Sequence, residues 1–136
     1  MADPMEIPKP LPNEVTKPYW DALDQGHLVF QRCSCGHAWL PPRRQCPHCL
    51  GDDVRWERAS GRGRLVSWVV YHQAYHEAFA HRLPYNVAVV ALDEGPRLIT
   101  NITDDSSALT GDASVVLQIE REDGFALARF RLKDQA

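Results

Sequence analysis

Cys33, Cys35, Cys46 and Cys49 are the only cysteines of the chain, and all four fall inside residues 32–50, R-C-S-C-G-H-A-W-L-P-P-R-R-Q-C-P-H-C-L. Two close thiol pairs joined by a short hairpin-like segment are what a tetrahedral four-thiolate zinc site requires. A segment this short buries too little apolar surface to fold alone, so a metal would supply much of its folding energy. The chemistry expected is therefore structural, with Zn2+ as the staple. Cys33-Ser34-Cys35 has one residue between its sulfurs where two or more are usual, which leaves His37 or His48 as a replacement ligand should Cys33 or Cys35 point away.

Other readings of the same thiols are weaker. Cys46-Pro47-His48-Cys49 carries a dipeptide found in oxidising thiol pairs, whose first thiolate is stabilised at a helix N-terminus. Here Gly51-Asp52-Asp53 follows, a turn and not a helix. Disulfides would need an oxidising compartment, and no secretory signal precedes the cysteines.

A second cluster of chemical side chains lies in residues 71–85, where Tyr71, Tyr75, Phe79 and Tyr85 stand among His72, His76 and His81. His72 and His76 would share a face if the segment were helical, but no third metal ligand is suitably spaced. Acid or base catalysis by a histidine would need a partner, and Glu77 alone is too little. The segment suits a cover over a ligand or a partner; the alternative is an aromatic cap on the fold. Arginine gathers in Arg32, Arg43, Arg44, Arg55, Arg58, Arg62 and Arg64, set against Asp52, Asp53 and Glu57. That basic stretch suits phosphates or an acidic protein surface, or is simply a solvated hairpin.

The elements that must position these residues are mostly strands. Pro4, Pro8, Pro10 and Pro12 make residues 1–15 an extended arm. Thr16 is placed to cap a short helix with Pro18 in its first turn, Trp20 and Leu23 on one face, and Gly26 as its left-handed stop. Strands are expected over 27–32 and 54–58, flanking the cysteines within a unit of residues 16–59. Five more are expected in residues 60–136, over 63–71, 85–92, 97–103, 113–120 and 125–132, with turns at Asp93-Glu94-Gly95 and Asp123-Gly124. Residues 104–110 have room for a helical turn at most. The whole is mainly β: a short helix, a rubredoxin-like zinc ribbon, then a five-stranded barrel of the oligonucleotide/oligosaccharide-binding (OB) type, with a plain sandwich as the alternative.

Composition sets outer bounds. At 136 residues with 44% hydrophobic side chains the chain can bury a core, and its net charge of −3 speaks against a dedicated nucleic-acid binder. No apolar run is long enough to span a bilayer, and the cytoplasm is the expected compartment.

In order and motif the chain resembles a family of CoA-thioester-associated proteins known as domain of unknown function thirty-five. The resemblance covers residues 17–132 and is carried by P-Y-W-D-A-L-D-Q-G-H-L-V-F-Q-R-C, the ribbon with C-P-H-C, S-G-R-G-R-L-V-S-W-V-V, Y-H-Q-A-Y-H and P-Y-N-V-A-V-V-A-L-D-E-G-P-R-L-I-T-N-I. The first cysteine pair departs from the family's usual spacing. The resemblance implies a non-catalytic, zinc-holding accessory subunit of a thiolase-fold enzyme, a thiolase or retro-aldolase acting on acyl-CoA thioesters, with hydratases as other companions. The residues expected to touch acyl-CoA or the partner are Arg62, Arg64, His72, Tyr75, His76, Phe79, Tyr85 and Asn101. The main rival is a single-strand nucleic-acid-binding module.

Overall fold

A computed structural model describes residues 11–72, 83–122 and 124–133. Helix α1 (Lys17–Asp24) leads into β1 (Val29–Cys33), β2 (Ala38–Trp39) and β3 (Val54–Arg58), which form an antiparallel ribbon in the order β2-β1-β3. Then follow β4 (Arg62–Tyr71), β5 (Tyr85–Leu92), β6 (Arg97–Thr100), a 3-10 turn (Ser106–Ala108), β7 (Ser114–Glu122) and β8 (Phe125–Leu132), paired as β6-β5-β4-β7-β8.

The helix forms where expected, with Pro18 near its start, but Thr16 does not cap it with its side chain. Asn13 Oδ1 instead accepts from the amides of Val15 and Thr16, while Thr16 Oγ1 accepts from the amide of Asn13. The cap sits one turn earlier because Asn13 reaches both free amides at once. At the other end Gly26 turns left-handed, at φ 89°, and His27 donates back to the Ala22 carbonyl.

Helix, ribbon and barrel are built on one hydrophobic cluster. Leu23 of the helix and Leu28 and Phe30 of the ribbon are buried with Leu65, Val90, Val115 and Phe130 of the barrel. Arg121 reinforces the joint, donating to the Asp24 carboxylate at 2.7 Å and to its carbonyl at 2.6 Å.

The barrel curls because β4 changes register at a bulge between Leu65 and Ser67. Its far side closes where Ile102 bridges Phe130 in parallel, Thr103 donates to the Phe130 carbonyl and Phe130 donates to the Asn101 carbonyl. The first barrel strand thus lies between the second and fourth, and the third reaches the fifth, as in an OB fold. The third strand ends at Thr100 and not at residue 103, because at Asn101 the chain leaves β5 to meet β8.

Buried Asn86 holds that crossing. Its amide donates to the Ile102 carbonyl and to Ser106 Oγ, and its Oδ1 accepts from the Ile102 amide at 2.8 Å. Gly63 meets a different demand, since a Cβ there would lie 2.6 Å from the Ala91 carbonyl oxygen. Asn86→Ala is expected to lower stability by about 2–4 kcal/mol in urea melts, because both polar groups of buried Ile102 lose their partner. An unchanged midpoint would show that the crossing does not depend on this amide.

Candidate metal centre and its surroundings

Two tight turns carry the four thiols. Strand β1 runs out at Cys33, whose carbonyl accepts from Gly36 at φ 96°, and the Cys33 amide donates to His37. In the second turn Leu50 donates to the Cys46 carbonyl and adopts a left-handed φ of 63°, while the Cys46 amide donates to Gly51. Strand β3 then starts at Val54, paired with Cys33, and this register closes one turn over the other.

All four Sγ atoms lie within 4.8 Å of one another. Cys33 and Cys49 sulfurs are 3.5 Å apart, and those of Cys35 and Cys46 are 3.8 Å apart. A tetrahedral ion with metal–sulfur bonds of about 2.3 Å places its sulfurs about 3.8 Å apart, so the donor set fits one. Among the described residues the cluster of ligating groups is these four thiols, and the one-residue spacing of the first pair does not keep either sulfur out. His37 lies beside it, stacked on Trp39 at 5.8 Å and tilted toward His48 at 5.5 Å.

The surrounding amides favour thiolates. His48 and Cys49 both donate to Cys46 Sγ, and Gly51 donates to Cys49 Sγ at 3.3 Å. The amide of Cys35 leads in drawing the Cys33 thiol down to about 7. Burial opposes ionisation of Cys46, yet the Cys49 and His48 amides hold it below the ordinary thiol value. Cys49 goes the other way, up to about 12: the Gly51 amide favours its thiolate, but neighbouring Cys33 and Cys35 outweigh it. Four negative sulfurs at these distances need a cation among them. Gly51 keeps side-chain bulk off the sulfurs, since a Cβ there would sit 3.2 Å from Cys49 Sγ.

The basic stretch is smaller than its sequence suggests. Arg32 Nε reaches both oxygens of Glu57 at 3.1 Å, and Arg55 binds the same carboxylate at 3.0 Å. These two guanidiniums, Arg32 first, hold the Glu57 carboxyl below the usual carboxylate range. Arg44 lies 3.6 Å from the Glu14 carboxylate. Of the other arginines in the stretch, Arg58 and Arg62 line, with His27, a cleft of about 350 Å³ at the joint of ribbon and barrel.

Family models match both halves of the chain: the ChsH2 rubredoxin-like zinc ribbon domain over residues 20–55 and the ChsH2 C-terminal OB-fold domain over residues 56–117. A DUF35 domain-containing scaffold protein of Methanothermobacter thermautotrophicus is 33% identical over 111 residues, 77% of this chain and 83% of that protein. The chain belongs to the ChsH2/DUF35 family. A probable enoyl-CoA hydratase alpha subunit of Thermomonospora curvata is 41% identical over 96 residues, 70% of this chain but 30% of that protein. The chain spans only that minor part of the hydratase subunit. A solved structure described as Ltp2-ChsH2(DUF35) aldolase contains a chain that superposes with a TM-score of 0.81 at 35% identity, covering 91% of this chain and 98% of that one.

Among the described residues, the remaining sequence candidates of this DUF35 chain do not converge on one spot. Arg62 lines the joint cleft, whereas Tyr85 and Asn101 line another of about 380 Å³ beside Asn86. The Asn101 side-chain amide is given to the Asn86 carbonyl, which ties it to the barrel closure. His72 is exposed just beyond β4, and the Tyr71 and Tyr85 rings face each other at 5.3 Å. Tyr75, His76 and Phe79, like His81, lie outside the described residues.

Sequence reasoning missed an apolar groove of about 560 Å³, with Tyr19, Trp20, Leu40 and Pro41 on one side and Val89 and Ile99 on the other. Burial pushes the Tyr19 phenol up to about 12, so the groove is lined by a neutral ring. The signal was present in the run V-A-V-V-A-L over residues 87–92, which is apolar on both strand faces instead of one. Gln31 was missed too. Buried between the ribbon strands, it donates to the Arg43 carbonyl and accepts from the Arg43 amide, pinning the chain just after Pro41 and Pro42.

Cys46→Ser removes the sulfur that receives two amides. It is expected to cut metal affinity roughly 10-fold or more and to abolish the near-ultraviolet dichroism of Trp39, buried beside the cluster. Full metal content in that variant would mean that the four sulfurs are not the ligand set.

Proposed function

We propose that this DUF35 chain is a zinc-bearing, non-catalytic subunit that completes a thiolase-fold enzyme acting on acyl-CoA thioesters, an aldolase or thiolase. The reading is carried by its match to nearly the full length of the DUF35 chain in the Ltp2-ChsH2 aldolase. The hydratase alpha subunit named above supports a place beside an acyl-CoA enzyme.

The chemistry of the residues agrees with an accessory role. Every cysteine belongs to the sulfur cluster, which leaves no thiol for acyl transfer. Zinc is the ion proposed, since four thiolates in a tetrahedral set suit it and it brings no redox chemistry to a structural position. Bound there, it neutralises the thiolates and cross-links the two turns. Arg58 and Arg62, whose planar donors line the joint cleft, are the groups proposed to receive the phosphates of CoA. Arg64, His72, Tyr75, His76, Phe79, Tyr85 and Asn101 are the proposed contacts to the acyl portion or to the partner.

A nucleic-acid module is the weaker reading. OB folds read single strands on the face of their second and third strands. Here the middle of that face carries Val87, Val89 and Ile99, which offer no ring to stack on a base.

Co-expression with thiolase-fold and hydratase-fold chains, followed by native mass measurement, tests the proposal. A stable hetero-oligomer with one zinc per copy of this chain, active on acyl-CoA only when assembled, is expected. Turnover by the isolated chain at an enzymatic rate would contradict it, as would failure to assemble with any such chain.

A further inference from the structure

Antiparallel sheets with one face in water alternate apolar inward and polar outward residues. Strand β5 does not. Its buried series is Asn86, Ala88, Val90 and Leu92, which leaves Tyr85, Val87, Val89 and Ala91 pointing outward. The neighbouring strands extend that outer surface. Val69 of β4 pairs with Val87 and is 54% exposed, and Ile99 of β6 pairs with Val89 and is 76% exposed. Scattered exposed aliphatics are ordinary, but a contiguous row on three adjacent strands marks an interaction surface. Val89 and Ile99 also form one side of the groove opposite Trp20 and Pro41, so groove and face are one continuous surface.

We propose that this outer face of β4, β5 and β6, with the adjoining groove, seats the catalytic partner through an aliphatic or aromatic ridge with carboxylates beside it. The inference rests on the subunit reading above and goes further by naming the surface and the chemistry of what it meets.

Charge selects the occupant. At one end of the apolar rows, Arg64 and Arg97 pair across Ala91 from either side. Neither has a carboxylate partner among the described residues. The outward positions of the face are arginine, serine, valine, isoleucine, alanine and tyrosine, with no acid among them. Two copies of this chain packed face to face would leave all those arginines without counter-charges in an apolar interface, which is costly. An acidic-flanked ridge on a different protein satisfies both parts: apolar rows are buried as the centre, and the arginines sit at the end as steering and orienting groups.

The test uses the complex identified by co-expression. Ile99→Asp, at an exposed strand position, is expected to weaken assembly about 30-fold or more while leaving zinc content and melting temperature near those of the wild-type chain. Arg97→Glu should weaken it about 10-fold, mainly through slower association, and Arg97→Lys should restore most of the loss. If the wild-type chain assembles and both Ile99→Asp and Arg97→Glu assemble equally well, the surface is wrong while the subunit reading stands. If the wild-type chain assembles with no catalytic chain, both fall. Self-association of the isolated chain that Ile99→Asp abolishes would give the face to a second copy and overturn the proposal. So would a loss of amide protection along β5 and β6 on removal of residues 1–10, which would give it to the chain's own arm.

Discussion

Four sulfurs packed within 4.8 Å of one another are the constraint on which the ribbon depends. Hydrogen bonds from the backbone amides of Cys35, His48 and Cys49 draw two of the thiols toward ionisation, and the crowding drives Cys49 the opposite way. A cation held among the four sulfurs would resolve that conflict and cross-link the two turns. The consequence reaches beyond the ribbon, because β1 both ends at Cys33 and delivers Phe30 to the common core. A ribbon that opened would draw on the same apolar cluster that holds the helix and the barrel together.

That sharing also builds the apolar groove. The helix places Trp20, and the connection pinned by Gln31 places Pro41, opposite the outer residues of β5 and β6. One wall of the groove comes from the barrel and the other from the helix and the ribbon's connection. The barrel's contribution is a rigid face, fixed by the bulge in β4 and by the Asn86 crossing between the third and fifth barrel strands. The sulfur cluster, the core and the groove are thus linked through β1 and the connection that follows it.

Much of this was legible in the residues. Cysteine spacing pointed to the sulfur cluster, and β-branched runs between turn signals marked the barrel strands. What was hidden depends on contacts distant in sequence. Asn13 displaced Thr16 as the capping side chain because it reaches two amides, a choice that residue preference cannot rank. The third barrel strand stops at Thr100 because Phe130, far along the chain, captures the backbone of Asn101 and Thr103. Arginine counting overstated the basic surface, since Glu57 absorbs Arg32 and Arg55. The unbroken apolar run of β5 was visible, but its meaning required knowing which of its side chains were already buried.

The central claim is that a metal-held ribbon supports the core it shares with the barrel. Region-resolved amide hydrogen exchange on the metal-loaded and the metal-stripped chain measures this most directly. The account predicts that stripping removes protection throughout the ribbon and also lowers it at Leu23, Leu28 and Phe30, where ribbon and helix enter the common core. Protection unchanged in the ribbon after the metal is gone would contradict it.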